Sequence, residues 1–250
     1  MRPADSSKRY RAVLLDLFGT LVFSRAEPLV REKEPSRARR FLVEALAAEL
    51  PGISYEAFLG ALRSASEEIE EEKVYSLREV SSIERFGRAL ALLGHDDRSK
   101  ARRLAEAHMA GLLEVVELPA EHREVVRLLS RRGRVGLVSN FDHGPTARRI
   151  LEEGGVAGFL EPVVVSDEVG WRKPSPTIFE AALRSLGLRP DEVLFVGDSP
   201  LEDIHGARQM GMDAVWLDST GRLYPGDLLP PTYVFRSLPE AFEELGDRVF

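Results

Sequence analysis

The sequence predicts an α/β fold in which a doubly wound parallel sheet is interrupted by an inserted all-helical cap domain. Three observations support this prediction: branched apolar runs, helical patterns that alternate with them, and one long segment with helical patterns only. The runs have the composition of buried parallel strands and lie at residues 13–15, 135–138, 163–165, 193–196 and 214–217. Strands that alternate with helices over short connections are typical of βαβ units, whose helices cover both faces of a parallel sheet.

Helical patterns lie between these strands in the second half of the chain. They cover residues 121–131, 145–153, 177–186 and 201–210. A glycine follows each segment, as is common where a helix ends, at Gly133, Gly154, Gly187 and Gly211. Farther along, residues 232–235 predict a last edge strand and residues 239–245 a short helix.

The segment between the first two strands has a different pattern. Helical periodicity covers residues 36–50, 54–73, 76–93 and 97–116, and no strand pattern is clear. An all-helical block after the first strand of such a sheet is best interpreted as a cap over the strand ends. We therefore expect residues 1–22 and 118–250 to form the α/β core and residues 23–117 to form the cap. The acidic run at residues 67–72 is interpreted as a solvated helix face.

Composition and charge exclude several classes of protein. The 250 residues carry a net charge of −7, whereas a general nucleic-acid surface would be basic, so we expect no nucleic-acid partner. No apolar run approaches the ~18 residues of a membrane span, and the first residues contain no apolar signal segment. The absence of cysteine excludes a disulfide framework and a thiolate nucleophile. We expect a cytoplasmic protein, monomeric or homodimeric, that binds a small molecule and no membrane.

Polar residues follow four consecutive predicted strands, at the edge where open parallel sheets bind ligands. They are Asp16 after the first strand, Ser139 and Asn140 after the second, Lys173 in the loop after the third, and Asp198 with Asp203 after the fourth. Each one alone has an ordinary explanation as a turn, cap or surface residue. Their recurrence at matching positions of successive βα units indicates one functional site.

Two of these residues predict a metal ion. Asp16 and Asp198 would repel each other if they met at the strand ends without a neutralising charge. Mg²⁺ prefers oxygen ligands and is typically held by one or two carboxylates together with a phosphate oxygen. The sequence therefore predicts Mg²⁺ as the cofactor and a phosphate group as part of the substrate.

The other polar residues suit a phosphoryl group. Ser139, the backbone N–H of Asn140 and the ammonium of Lys173 are expected to hold its oxygens, with Thr20 as a further phosphate-binding candidate. Lys173 is also expected to keep Asp16 ionised and oriented. A carboxylate in that position is a candidate for covalent catalysis through an aspartyl-phosphate.

Four stretches of this sequence resemble the motifs of the haloacid dehalogenase-like hydrolase superfamily, in order and over nearly the whole chain. They read D-L-F-G-T-L, V-S-N, R-K-P-S-P-T-I-F and V-G-D-S-P-L-E-D-I-H-G-A. The helical block resembles the C1-type helical cap of that superfamily, and the resemblance implies a Rossmann-like core. It also implies a nucleophile at Asp16, with Mg²⁺ on Asp16, Asp198 and the backbone carbonyl of Phe18. Asp203 would be a further ligand or a support for the others.

Phe18 departs from the phosphatase pattern of this superfamily, which has a second aspartate as general acid and base at that position. A phenyl ring can do neither, and general acid–base catalysis typically contributes ~10²–10⁴-fold to a rate. The 2-haloacid dehalogenases of the superfamily have Phe or Tyr there, because a halide leaves without a proton, and they need no metal. In contrast, the fourth motif of these dehalogenases has uncharged residues such as Ser-Ser-Asn in place of the Gly-Asp-Ser opening, whereas this chain keeps Asp198 there. Asp198 together with Asp203 therefore favours magnesium and phosphate.

Three functions therefore stay open. The favoured one is a Mg²⁺-dependent phosphatase for a small phosphorylated metabolite, restricted to good leaving groups unless another residue such as His143 supplies the acid. The second is a metal-independent 2-haloacid dehalogenase. In that function an arginine of the early cap would bind the substrate carboxylate or halide, although a surface role is the simpler interpretation of Arg37, Arg39 and Arg40. The third is a weakly active scaffold that binds a phosphorylated ligand. His205 is expected to be a surface or packing residue.

Overall fold

The computed structural model of the chain describes residues 9–24 and 37–246, and contacts divide the chain into two compact units. One unit contains Met1–Phe23 and Leu118–Phe250, and the other contains Ser24–Glu117. Each unit has its own hydrophobic core.

The first unit is built on a parallel sheet. The described residues form eight strands: β1 (Ala12–Leu15), β2 (Phe23–Ser24), β3 (Val116–Glu117), β4 (Arg134–Ser139), β5 (Val163–Val165), β6 (Val193–Gly197), β7 (Asp213–Leu217) and β8 (Tyr233–Phe235). Six of them form one parallel sheet in the order β5-β4-β1-β6-β7-β8, while β2 and β3 form a separate two-stranded sheet. Because β1 lies between β4 and β6, the residue after β1 emerges between the ends of both neighbours.

Helices connect the strands of the sheet and make up most of the second unit. In the described part of the chain they are α1 (Arg37–Glu49), α2 (Tyr55–Ser76), α3 (Ser82–Leu92), α4 (Arg98–Leu113), α5 (Ala120–Arg132), α6 (Gly144–Glu153), α7 (Ser166–Val169), α8 (Pro176–Leu186), α9 (Gly206–Gln209) and α10 (Leu238–Leu245). The alternation of strand and helix predicted for the second half of the chain is confirmed, as is the parallel sheet. None of the described helices is both long and apolar enough to cross a bilayer.

Helix α8 shows how the sequence produces these elements. Ser175 accepts a hydrogen bond from the first turn, a proline occupies the beginning, and Gly187 ends the helix with a φ of 60°. The buried face of α8 presents Phe179, whose ring lies 5.5 Å from that of Phe195 in β6. Burial of one such side chain contributes ~1.5–3 kcal/mol, so this pair fixes α8 against the sheet.

The second unit is a helical assembly around a separate apolar core. Phe58 of α2 and Phe86 of α3 are fully buried, with ring centroids 5.8 Å apart. Helices α1 and α4 approach closely at Gly111, where a Cβ atom would overlap the backbone of Ala38. The acidic run at residues 67–72 has exposed carboxylates, of which Glu72 forms an ion pair with Arg88.

Three helix predictions differ from the structure. The segment 76–93 becomes helical only at Ser82, because Leu77 ends α2 with a φ of 54° and Ser81 caps α3. The segment 97–116 ends its helix at Leu113 and then contributes β3, so the expectation of no strand in this region was wrong. The segment 201–210 is a π-helical turn, Pro200–His205, followed by α9, for a reason given below.

Candidate active site

Lys173 is the centre of a buried group of charges at the carboxyl ends of the strands. Its ammonium donates hydrogen bonds to Asp16 Oδ1 at 2.5 Å, to Asp203 Oδ1 at 2.6 Å and to the carbonyl of Val138 at 2.8 Å. Lys173 is only 1% exposed. All three of its donors are therefore used, which fixes the ammonium between the first and fourth motifs.

The backbone of Lys173 is fixed as well. The side-chain amide of Asn140 donates to the Lys173 carbonyl at 3.0 Å and accepts from the Lys173 N–H at 2.7 Å. Sequence reasoning assigned a role only to the backbone N–H of Asn140, and this pairing of its side chain was missed. It depends on the approach of two loops, which no local pattern encodes.

The charges in this group alter one another's proton affinity. Burial alone would lower the pKa of Lys173, but Asp16 and Asp203 outweigh it and raise that pKa above its ordinary value. The lysine is therefore a permanent cation. Burial raises the pKa of Asp16 to about 7, although the charge of Lys173 lowers it.

Asp203 orients the beginning of the fourth motif. Its Oδ2 accepts the backbone N–H groups of Asp198 at 3.1 Å and Ser199 at 2.9 Å. The π-helical turn returns Asp203 to these amides, since the N–H groups of Asp203 and Ile204 both bond to the Ser199 carbonyl. A regular α-helix from residue 201 was predicted, and this tertiary requirement explains why it does not form.

Asp198 is half-buried, and its carboxylate forms no ion pair with the residues that the structure describes. Burial, and then the charge of Asp203, raise the pKa of Asp198 to about 6. The carboxylate lies against Gly19, where a Cβ atom would be 2.6 Å from Asp198 Oδ2. Gly19 has a φ of 83°, so both the conformation and the space require glycine there.

The three carboxylates form a group with the geometry of a cation site. One oxygen each from Asp16, Asp198 and Asp203 lies within 4.8 Å of the others. Three carboxylates beside one ammonium leave two negative charges when all are ionised, which is the charge that a divalent cation neutralises. Oxygen ligands of this kind are those that Mg²⁺ prefers. These residues therefore fit a magnesium ion.

Two buried hydroxyls, one in the turn after β1 and one at the end of β4, have no hydrogen-bond partner in the described part of the chain. Thr20 Oγ1 and Ser139 Oγ are enclosed, and neither forms a hydrogen bond within residues 9–24 and 37–246. A buried hydroxyl without a partner costs ~1–3 kcal/mol, so such groups usually bind a ligand or water. Ser139 is the last residue of β4 and Thr20 lies in the turn after β1, the positions predicted for phosphate-binding residues.

Phe18 is half-buried beside the site. Its ring lies 5.0 Å from that of Phe141 in the loop after β4, so an aromatic pair occupies the position where a second acid would be expected. His143, a candidate for the missing acid, is buried and caps α6 by accepting the N–H of Thr146. This bond gives His143 a structural role as the N-cap of α6.

The remaining candidates have contacts or exposure of their own. His205 accepts the backbone N–H of Leu229 at 3.0 Å, in agreement with the packing role expected for it. Arg39 and Arg40 are exposed in α1, and Arg40 faces Glu44 at 3.8 Å. The side chain of Arg37 lies outside the described part of the structure.

Comparison with known proteins gives the class of this chain. A family model described as a haloacid dehalogenase-like hydrolase matches residues 10–211. The chain belongs to this family, and the resemblance found in its four motifs is confirmed.

Individual relatives are named as phosphatases and as dehalogenases. The glyceraldehyde 3-phosphate phosphatase of Pyrococcus furiosus is 32% identical over 132 residues, which are 52% of this chain and 54% of that protein. The chain spans about half, or less, of the length of the curated relatives it matches first. A 2-haloacid dehalogenase from Pseudomonas syringae has the same fold, with a TM-score of 0.69, 23% identity and coverage of 96% and 99% of the two chains. A HAD phosphatase from Thermococcus onnurineus has a TM-score of 0.58 and 23% identity to this chain, with coverage of 96% of this chain and 100% of that one.

Proposed function

We propose that the protein is a magnesium-dependent phosphatase that uses Asp16 as its nucleophile. The observation that carries this proposal is the group of three carboxylates, Asp16, Asp198 and Asp203, beside the single ammonium of Lys173. The excess negative charge suits a divalent cation and a phosphate bound together. It does not suit an anionic substrate bound alone. Relatives named as phosphatases support the same conclusion.

In this proposal each residue of the site has a specific role. Asp16 attacks phosphorus and forms an aspartyl-phosphate while the leaving group departs with the bonding electrons; water then hydrolyses this acyl phosphate. Lys173 keeps Asp16 oriented, and the hydroxyls of Ser139 and Thr20, with the N–H of Asn140, bind the phosphoryl oxygens.

Three groups would form the cation site, and Asp16 is one of them. Asp16, Asp198 and the backbone carbonyl of Phe18 would hold Mg²⁺, which supplies positive charge against the phosphoryl oxygens when bound. Both oxygens of Asp203 already accept hydrogen bonds, from Lys173 and from two backbone amides. These bonds favour a supporting role for Asp203 over direct ligation.

Phe18 restricts the substrate. Because residue 18 cannot donate a proton, the leaving group must depart as a stable anion. The leaving groups of acyl and aryl phosphates do so. We propose a small phosphorylated metabolite of this kind, with the helical unit acting as the cap that selects it. A cytoplasmic location and a monomeric or homodimeric state stay predictions.

A 2-haloacid dehalogenase is the second candidate. The pair of Phe18 and Phe141 favours it, since an aromatic wall beside the nucleophile suits an apolar substrate and a halide leaving group. Asp198 opposes it, because without a cation its charge would repel the carboxylate of a haloacid. A weakly active scaffold for phosphorylated ligands is the third candidate.

One set of assays separates the three. We expect p-nitrophenyl phosphate and acetyl phosphate to be hydrolysed with Mg²⁺ and to be stable with EDTA. Chloride release from 2-chloropropionate in EDTA would overturn the phosphatase proposal in favour of the dehalogenase. If none of the three substrates reacts while phosphate raises the melting temperature, the result supports the scaffold function.

Asp16→Asn tests the nucleophile. We expect it to lower turnover at least ~10³-fold while the circular dichroism spectrum stays unchanged, because an amide cannot form the covalent intermediate. Turnover within tenfold of the wild type would contradict both enzymatic functions.

A further inference from the structure

Two side chains outside the four motifs bind the backbone of Asp198. The carbonyl oxygen of Asp198 accepts a hydrogen bond from Trp216 Nε1 at 3.0 Å and another from Arg222 Nη2 at 2.8 Å. Trp216 belongs to β7 and is 3% exposed, whereas Arg222 is an exposed residue of the loop that follows.

These two donors belong to one packed group. The guanidinium of Arg222 lies over the Trp216 ring, 5.4 Å from its centroid, and the Tyr224 ring meets that of Trp216 edge-on at 5.1 Å. The Tyr224 hydroxyl donates to the carbonyl of Pro200 at 3.1 Å. The chain after β7 therefore binds the fourth motif at two carbonyls, those of Asp198 and Pro200.

The backbone of Asp198 is held from both sides. Its N–H donates to Asp203, and its carbonyl accepts from Trp216 and Arg222. Its carboxylate packs against Gly19. These contacts fix the backbone of Asp198 and restrict the directions that its side chain can take. Mg²⁺ demands near-ideal octahedral geometry, so the placement of such a carboxylate determines how well it binds.

We propose that Trp216 and Arg222 are positioning residues that hold the peptide of Asp198 so that its carboxylate is presented to the divalent cation. This inference rests on the magnesium site of the proposed function. Neither side chain touches the cation; both act through Asp198. Groups that orient a metal ligand in this way typically contribute about 10–100-fold to metal affinity.

The test compares three substitutions. Arg222→Met removes the donor and keeps an apolar stem over Trp216, Arg222→Lys keeps a charge, and Trp216→Phe keeps an aromatic ring without its N–H. Arg236→Met is the matched control. Arg236 lines the same cavity of about 400 Å³ as Asp198 and Arg222, and its guanidinium forms no hydrogen bond to Asp198 among the described contacts.

Calorimetric titration of the full chain with Mg²⁺ alone gives the first readout. We expect Arg222→Met and Trp216→Phe each to weaken the Kd by about tenfold, Arg222→Lys to restore part of the loss, and Arg236→Met to leave the Kd unchanged. In p-nitrophenyl phosphate assays, the Mg²⁺ concentration for half-maximal activity should rise equally, while kcat at saturating Mg²⁺ recovers.

The outcomes separate this inference from the proposed function. If the wild type binds Mg²⁺ and both variants bind it within twofold as well, the inference is wrong and the magnesium site stands. If the wild type binds no Mg²⁺, both fail. Because Arg222 is exposed, its variant should fold even if Trp216→Phe does not.

Discussion

At the residue scale, the protonation state of Asp16 depends on how many carboxylates share the ammonium of Lys173. Lys173 serves Asp16 and Asp203 at once, so neither carboxylate has a cation of its own. Asp198 has none among the described residues. The group is therefore short of positive charge, and burial makes the shortage costly. This shortage underlies the predictions for single residues.

Magnesium binding should depend on pH. The pKa of Asp16 is raised to about 7 and that of Asp198 to about 6, against an ordinary value of 3.8. Both groups take up protons as the pH falls, and Mg²⁺ must displace those protons, so its Kd should rise between pH 8 and pH 5. Calorimetric titration in that range checks this, and a Kd independent of pH would contradict it.

The same groups affect stability without metal. Because folding raises both pKa values, their contribution is fully present below pH ~4. It is lost as the pH rises through about 6 and about 7. Mg²⁺ should offset this loss, so the difference in melting temperature between Mg²⁺ and EDTA should widen with increasing pH. In Asp198→Asn the difference should widen less.

Phe18 gives a prediction about the leaving group. Phe18→Asp should increase the hydrolysis of alkyl phosphates by ~10²-fold, since an acid then protonates the departing alkoxide, and should change p-nitrophenyl phosphate hydrolysis far less. Phe18→Asn is the control, because it removes the Phe141 contact without adding an acid. An equal gain in both variants would show that space, and not acid catalysis, limits the rate.

At the element scale, the turn after β1 is determined by Gly19. Gly19→Ala would force a positive φ on alanine and place its Cβ against Asp198, whereas Gly94→Ala at a similar φ of 80° has open space around it. Gly94→Ala should lower the free energy of unfolding by ~1–2 kcal/mol, measured in urea, and Gly19→Ala by at least as much. Only Gly19→Ala should weaken Mg²⁺ binding; equal Kd values in the two variants would contradict the geometry.

Strands were easier to predict than the contacts between them. Strand β5 was predicted to the residue, because three consecutive valines between polar segments favour one buried strand. The bond from Trp216 to Asp198 was not predicted. It depends on the register in which Gly197 of β6 pairs with Trp216 of β7, and register is a property of the assembled sheet.

The candidate site was predicted from the positions of residues after strands. Asp16, Lys173 and the acids of the fourth motif are in contact, because the carboxyl ends of parallel strands meet at one edge of the sheet. The π-helical turn was not predicted, since amphipathic periodicity cannot distinguish it from an α-helix. Its cause is the return of the Asp203 carboxylate to the backbone of Asp198.

At the scale of the whole molecule, the two units have separate cores. Phe86 lies in the core of the helical unit and Phe179 in the core of the sheet unit. Phe86→Ala should destabilise the helical unit by ~3–5 kcal/mol and accelerate hydrogen exchange in α1–α4, while β1 and β6 stay protected and the Mg²⁺ Kd is unchanged. Phe179→Ala is the matched variant and should accelerate exchange in the sheet. Equal acceleration in both units would show one cooperative core.

The bond between Lys173 and Asp16 joins residues that are 157 positions apart. The pairing of β1 with β6, in which Ala12 lies opposite Val193, joins parts of the chain that are at least as distant. Once these strands are aligned, the entropy of bringing the two parts together is already lost, and the charged bond adds little further cost. We therefore expect the strands to align on their apolar residues first and the charged centre to form after the transition state for folding. A cation bound at that centre acts on the reverse reaction: it lengthens the lifetime of the native protein and leaves the speed of its formation nearly unchanged.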